Sequence, residues 1–107
     1  MNDSLPVVRV ALVGMGRMGK AIDALASDRH CEIVARVGRA ESERGLSAAV
    51  LNGAQVAIEF SHPETAVANA VACLRAHCPV VIGTTGWSES IGKLAEAVAH
   101  NQCSALW

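Results

Sequence analysis

Apolar residues fall into short, nearly continuous runs, separated by stretches with a helical rhythm. Val7–Val13 reads V-V-R-V-A-L-V, Cys31–Val37 reads C-E-I-V-A-R-V, Val56–Phe60 reads V-A-I-E-F, and Val80–Ile82 ends at Gly83. Runs this short and rich in β-branched residues suit strands covered on both faces, as in a parallel sheet. Met18, Ala21, Ile22, Leu25 and Ala26 recur at helical spacing and predict one apolar stripe. Ala66, Val67, Ala70, Val71 and Leu74 predict a second, with Pro63 at the first helical position and Glu64 beside the positive helix end. Ser88 is placed to cap a third helix, whose face is Ile91, Leu94, Ala95 and Val98. Ala48–Leu51 predicts a helical turn stopped by Asn52-Gly53, Arg39–Arg44 an exposed connection, and Ser104–Trp107 the start of a fifth strand.

Strands alternating with helices predict a parallel α/β sheet wound by right-handed crossovers. The 107 residues fit one domain, 1–107, with no repeat or linker. A net charge of −1 offers no basic field, so neither nucleic acid nor an anionic membrane is an expected partner. Cys31, Cys73, Cys78 and Cys103 form no C-x-x-C pair, and His100 with Cys103 lacks the second pair that a metal site needs. The cysteines are expected to be reduced and no metal is expected. Met1-Asn2-Asp3-Ser4 carries no leader pattern, and no apolar run approaches the roughly 20 residues that span a bilayer. The expectation is a soluble, cytoplasmic protein.

Gly14-Met15-Gly16-Arg17-Met18-Gly19 follows the first strand and opens the first helix. This G-x-G-x-x-G turn allows a sharp reversal at Gly14, close approach of a pyrophosphate at Gly16, and tight helix–strand packing at Gly19. The helix N-terminus beyond it offers unpaired N–H groups to phosphates. In that context the turn predicts a dinucleotide site and a Rossmann-type doubly wound parallel sheet with helices on both faces. Arg17 suits a phosphate or ribose contact, or is a solvated helix-start residue. At the end of the second strand stands Val37-Gly38-Arg39, with Glu41 later than the acid that takes ribose hydroxyls in NAD-binding folds. Arg39 can neutralise a 2′-phosphate, so NADPH is expected over NADH, or dual use. Arg39 as a plain solvated charge stays open, and Arg36 is a second candidate.

Two further strand ends carry unusual text: Glu59-Phe60-Ser61-His62-Pro63 and Val81-Ile82-Gly83-Thr84-Thr85-Gly86. Ligands of open α/β sheets bind beyond such ends. A G-T-T-G loop offers hydroxyls and backbone groups to a carboxamide or carboxylate. His62 reads best as the residue before a helix-starting proline, and Trp87 as packing on the loop.

With G-R-M-G-K, I-E-F-S-H-P and V-I-G-T-T-G in the family's order along nearly the whole chain, the sequence resembles the 4-hydroxy-tetrahydrodipicolinate reductase (dihydrodipicolinate reductase) family. The resemblance implies that Gly14, Met15, Gly16, Arg17 and Met18 hold the pyrophosphate region and that Arg39 lies at the 2′-phosphate or adenosine ribose. It implies that Phe60 and Ser61 flank the cofactor, and that Gly83, Thr84 and Thr85 meet the nicotinamide end. The implied reaction is hydride transfer from NADPH or NADH to a small cyclic dicarboxylate in lysine and diaminopimelate biosynthesis. Three departures stand out: a glycine turn one residue shorter than in many members, Glu59 for the commoner Asp, and Gly38 where NADH users often carry an acid. The family's second domain, with a His-His pair and a Lys that serve the substrate, has no counterpart here, and the A-x-N-F-S segment would begin just past Trp107. The chain is therefore expected to be a cofactor domain, inactive alone, with no catalytic residue of its own. An uncovered face is expected to favour a homo-oligomer. A β-hydroxyacid dehydrogenase domain, whose glycine turn is similar, and a non-catalytic NAD(P)H-sensing module are the alternatives.

Overall fold

The computed structural model describes residues 6–107; the N-terminal Met1–Ser4, where the leader pattern was sought, lies outside them. Strands β1 (Val8–Val13), β2 (Cys31–Val37), β3 (Val56–Glu59), β4 (Val80–Ile82) and β5 (Ala105–Leu106) form one sheet in the order β2-β1-β3-β4-β5, parallel throughout. The α/β, doubly wound arrangement expected from the sequence is observed. The order reverses direction at β1: the chain first moves to β2, then steps across to β3, β4 and β5. Right-handed crossovers in opposite directions put their helices on opposite faces. Helix α1 (Arg17–Leu25) therefore covers one face, while α3 (Ala48–Leu51), α4 (Pro63–Arg75) and α5 (Ile91–Asn101) cover the other. A short helix, α2 (Arg39–Glu43), sits directly after β2.

Strand alternation divides the apolar residues between the faces. Ala11, Val13, Ala57, Val80 and Ile82 pack against Ala66, Ala70, Cys73 and Leu74 of α4 and Leu94 of α5 in one buried cluster. Alanine at positions 66 and 70, both without exposed surface, lets α4 lie close on the strands. Leu12 points to the opposite face and is in register with Ile58, which pairs with Val81, which pairs with Leu106. Along this row Leu12 is buried, Ile58 and Val81 are half-buried, and Leu106 is 66% exposed. Coverage by α1 thus ends at the centre of the sheet, and the row towards β5 is bare. No described helix is long and apolar enough to cross a membrane.

Four local expectations need correction. The α1 stripe does not face the sheet as drawn, since Met18, Ala21 and Leu25 are exposed and Gly19 and Ala26 are buried. The close seat of Gly19 on Gly14 rotates the helix so that Gly19, Ile22 and Ala26 form the inner line. Arg39–Arg44 is largely exposed, as expected, but it is more than a connection: its first five residues form α2, with Arg39 and Glu43 paired one turn apart. Ser88 does not cap α5. Ser88–Ser90 is a 3₁₀ turn, and the helix begins at Ile91. The inner face of α5 is Leu94 and Ala97, with Ile91 and Ala95 exposed.

Burial pushes the Cys73 thiol up to about 12, with Cys78, Glu59 and Cys103 adding to the effect. Burial, then Cys103, also raises Cys78. Both thiols are neutral in the fold at pH 7, so their contribution is complete below the ordinary thiol value of 9.0 and is lost above it. Between pH 9.0 and about 12, unfolding free energy should fall by up to about 1.4 kcal/mol per pH unit from Cys73. Urea titrations at stepped pH measure this; an equally steep fall in Cys73→Ala would show that another group is responsible.

Candidate functional site

Three strand ends and the start of one helix meet at the carboxyl edge of the sheet. Gly14 leaves β1 with φ at +102°, in the region that favours glycine. Its N–H donates to the Val37 carbonyl at 2.8 Å, which ties the turn to the end of β2. A Cβ on Gly14 would collide with the Phe60 carbonyl, and one on Gly19 with the Gly14 carbonyl. Gly16 differs: no atom lies within 4 Å of where its Cβ would be. The first backbone bond of α1 runs from the Lys20 N–H to the Gly16 carbonyl at 3.0 Å, and no side chain caps the helix. The N–H groups of Arg17, Met18 and Gly19 therefore have no acceptor within the helix, and the space at Gly16 is open. A fixed partial positive charge with a vacant approach is what a pyrophosphate requires. Met15 is half-buried, while Arg17 and Met18 are exposed at the helix start.

The loop after β3 sits against this turn. The Phe60 N–H donates to the Val13 carbonyl at 2.9 Å, and the Phe60 ring covers Gly83 so closely that a Cβ there has no room. Phe60 thus touches the glycine turn through its carbonyl and the G-T-T-G loop through its ring. Next to it, Glu59 is fully buried, and its Oε1 accepts from Thr84 Oγ1 at 2.6 Å. Its Oε2 accepts from Ser61 Oγ and, at 3.2 Å, from Asn69 Nδ2. Thr84 Oγ1 accepts the Ser61 N–H at 2.8 Å, and the Thr84 carbonyl accepts the Trp87 indole N–H at 2.5 Å. The Thr84 hydroxyl, which the sequence offers to a ligand, points inward instead, and so does that of Ser61, because a buried carboxylate claims both. Thr85 is exposed. Trp87 packs on the loop as expected and meets Trp107 edge to face at 5.9 Å, beside a cavity of about 350 Å³ lined by Gly83, Thr84, Thr85 and Ile91. A larger groove, about 1040 Å³ between α4 and α5, holds surface charges of both signs and none of the β1, β2 or β4 ends.

At the far side of β1, Arg39 opens α2 with its guanidinium exposed and its Nε 3.1 Å from Glu43 Oε1. Arg36 is occupied elsewhere: it grips Asp23 of α1 through two bonds of 2.6 and 2.9 Å. That hydrogen bonding holds the Asp23 carboxyl below its ordinary value and the guanidinium above its own. Glu41 folds back so that its Oε2 lies 2.9 Å from where a Cβ on Gly38 would stand. The β2 end thus carries an acid in space that is late in sequence, because α2 turns the chain at once. His62 precedes α4, and its N–H donates to Thr65 Oγ1 at 3.4 Å.

The sequence marks Glu59 only as a departure from the family pattern and Glu41 only as late, and gives Asn69 no role; the fold sets Glu59 and Asn69 behind the loops after β3 and β4, and Glu41 at the β2 end. Glu59 had a legible signal, since it shares the inward side of β3 with Ala57; Asn69 lies likewise inside the apolar face of α4.

Residues 8–107 match the family model described as dihydrodipicolinate reductase, N-terminus. The chain belongs to this family. Among curated relatives, the 4-hydroxy-tetrahydrodipicolinate reductase of Streptomyces coelicolor is 40% identical over 84 residues, 77% of this chain and 32% of that protein. The enzyme of the same name from Christiangramia forsetii is 35% identical over 89 residues, 83% and 36% of the two chains. In the one from Thiobacillus denitrificans, 37% identity over 103 residues covers 78% and 39%. The chain therefore spans about a third of the length of the relatives it matches. A solved structure from Desulfitobacterium hafniense, described provisionally as an NADPH-dependent oxidoreductase, superposes with a TM-score of 0.71 over 94% of this chain and 34% of its own, at 13% identity. At that identity the likeness speaks for the fold. Family membership leaves the β-hydroxyacid dehydrogenase alternative without support.

The glycines separate by role. Gly14→Ala should lower unfolding free energy by about 1–3 kcal/mol, from the left-handed backbone and the collision with Phe60. Gly16→Ala should cost under about 1 kcal/mol, since its surroundings are open. Thermal unfolding of the two variants checks this, and equal losses would mean that Gly16 is packed as tightly as Gly14.

Proposed function

We propose that this chain is the NADPH-binding part of a 4-hydroxy-tetrahydrodipicolinate reductase, which reduces 4-hydroxy-tetrahydrodipicolinate to tetrahydrodipicolinate in lysine and diaminopimelate synthesis. The observation that carries the reading is the open Gly16 beside the unpaired N–H groups of α1, in a chain of this family. The relatives named as reductases support the reaction. The oxidoreductase described provisionally as NADPH-dependent supports the cofactor class through the shared fold. When bound, the dinucleotide supplies the hydride.

Gly14, Met15, Gly16, Arg17 and Met18 would surround the pyrophosphate, chiefly through backbone N–H groups. Phe60 and Gly83 would wall the nicotinamide end, with Thr85 free to offer its hydroxyl. Ser61 and Thr84 would serve through their backbone and by shaping the loops, since their hydroxyls belong to Glu59. Arg39 would take the 2′-phosphate. Its pairing with Glu43 does not oppose this, because both side chains are largely exposed and such pairs contribute at most about 1 kcal/mol. Glu41 beside Gly38 would accept from the ribose hydroxyls of NADH, so the β2 end is suited to both nucleotides with NADPH preferred. The dicarboxylate substrate would be held by the longer enzyme's remaining segments. Four free cysteines agree with a reducing cytoplasm.

Calorimetric titration of the chain with NADPH and with NADH tests the assignment. Arg39→Ala should weaken NADPH by about 10- to 100-fold, the equivalent of one charge-assisted contact, and leave NADH within about 2-fold. Glu41→Gln should tighten NADPH and weaken NADH. Equal binding of both nucleotides, insensitive to Arg39, would remove the 2′-phosphate assignment; no binding of either would remove the cofactor reading. Supplied with NADPH and substrate, the chain alone should give no turnover above background. A steady-state rate near that of a full-length relative would show that the chemistry needs nothing outside these 107 residues.

A further inference from the structure

Glu59 is a carboxylate with no exposed surface, and neither of the ion pairs among the described residues includes it. Burying an uncompensated charge is costly, by several kcal/mol in real proteins. An apolar residue at the end of β3 would serve the core better. What the carboxylate gains is three donors from three elements: Ser61 after β3, Thr84 after β4, and Asn69 on α4. As the acceptor in all three, the carboxylate sets the direction of every bond around it. The Thr84 hydroxyl must donate to Glu59, which leaves its lone pair for the Ser61 N–H at 2.8 Å. The Ser61 hydroxyl must do the same, which leaves it to accept Asn69 Nδ2 at 3.3 Å. Phe60 lies between Glu59 and the pinned Ser61. Its ring lies on Gly83 and its carbonyl on Gly14, each in space that a Cβ on the glycine would fill.

We propose that Glu59 is a positioning residue: its buried carboxylate locks the loops after β3 and β4 together and so sets the wall that grips the nicotinamide end of the cofactor. The proposal rests on the cofactor reading above and adds to it a residue that touches no ligand. The hydrogen bonds of Glu59 stop at one end of the site: the link to the glycine turn is the packing of the Phe60 carbonyl on Gly14, which the Phe60 N–H bond to the Val13 carbonyl at 2.9 Å holds independently of Glu59.

That limit gives the test. The full chain is titrated with NADPH and with 2′-phospho-ADP-ribose, which is NADPH without its nicotinamide. Glu59→Gln should weaken NADPH by about 10-fold or more, the scale of one lost charge-assisted bond, and change the nicotinamide-free ligand by less than about 2-fold. The amide places an NH₂ against Thr84, or against both Ser61 and Asn69, so the three bonds cannot all be kept as they stand. Thr84→Val should reproduce the effect, Thr84→Ser should restore wild-type binding, and Glu59→Gln with Thr84→Val together should be no worse than either alone. The Ser61 amide, read by hydrogen exchange without ligand, should lose protection in Glu59→Gln. Should Glu59→Gln not fold, Thr84→Val and Thr84→Ser decide by the same two readings. Equal loss of both ligands, loss of neither, or an unchanged Ser61 amide would overturn the proposal while the cofactor reading stands. A wild-type chain that binds neither ligand would remove the cofactor reading, and this one with it.

Discussion

The site depends on the absence of a side chain at Gly14. Three strands approach this residue: β1 ends there, its N–H holds the end of β2, and the Phe60 carbonyl after β3 occupies the space where a Cβ would be. Gly19 then seats α1 on the Gly14 carbonyl. A methyl group would push the third strand end from the first and lift the helix from both. Close packing leaves little slack for such a shift. Glycine here is therefore a packing requirement of the edge where ligands of such sheets bind, in addition to a turn residue.

The two faces of the sheet differ in how fully they are built. The α4 and α5 side is a closed core of small and branched residues, and the alanines of α4 allow close helix–sheet contact. The other face is covered by one nine-residue helix over β1. The row passes from buried Leu12 through half-buried Ile58 and Val81 to exposed Leu106. This gradient is a consequence of strand order, since only the single crossover from β1 to β2 runs in the direction that places a helix there.

Charge is distributed along the carboxyl edge according to what each part must do. The β2 end carries exposed groups, Arg39, Glu41 and Glu43, which trade partners at little cost. The β3 end carries a buried one, Glu59, whose partners are fixed. An exposed charge in water is weakly held and suits recognition. A buried one is strongly directional and suits shape. Arg36, just before the first of these parts in sequence, spends its guanidinium on Asp23 and joins β2 to α1.

Strand and helix order, the parallel sheet and the glycine turn were legible in the residues, because they follow from local periodicity and from backbone freedom at single positions. So were the two loops after β3 and β4, whose text carries the family likeness. The sequence by itself determined which segments become strands and where the chain must turn. It could not show which side of α1 meets the sheet, since the close seat at Gly19 decides that against a wider apolar stripe. Nor could it show that the Thr84 hydroxyl points inward, since it reaches Ser61 and Glu59 across 23 and 25 positions by hydrogen bonds that exist only once β3 and β4 are paired. Glu41 reaches Gly38 only because α2 forms. In each case the deciding contact is between groups whose proximity is created by folding, and tertiary structure alone chooses among the partners that local sequence leaves equivalent.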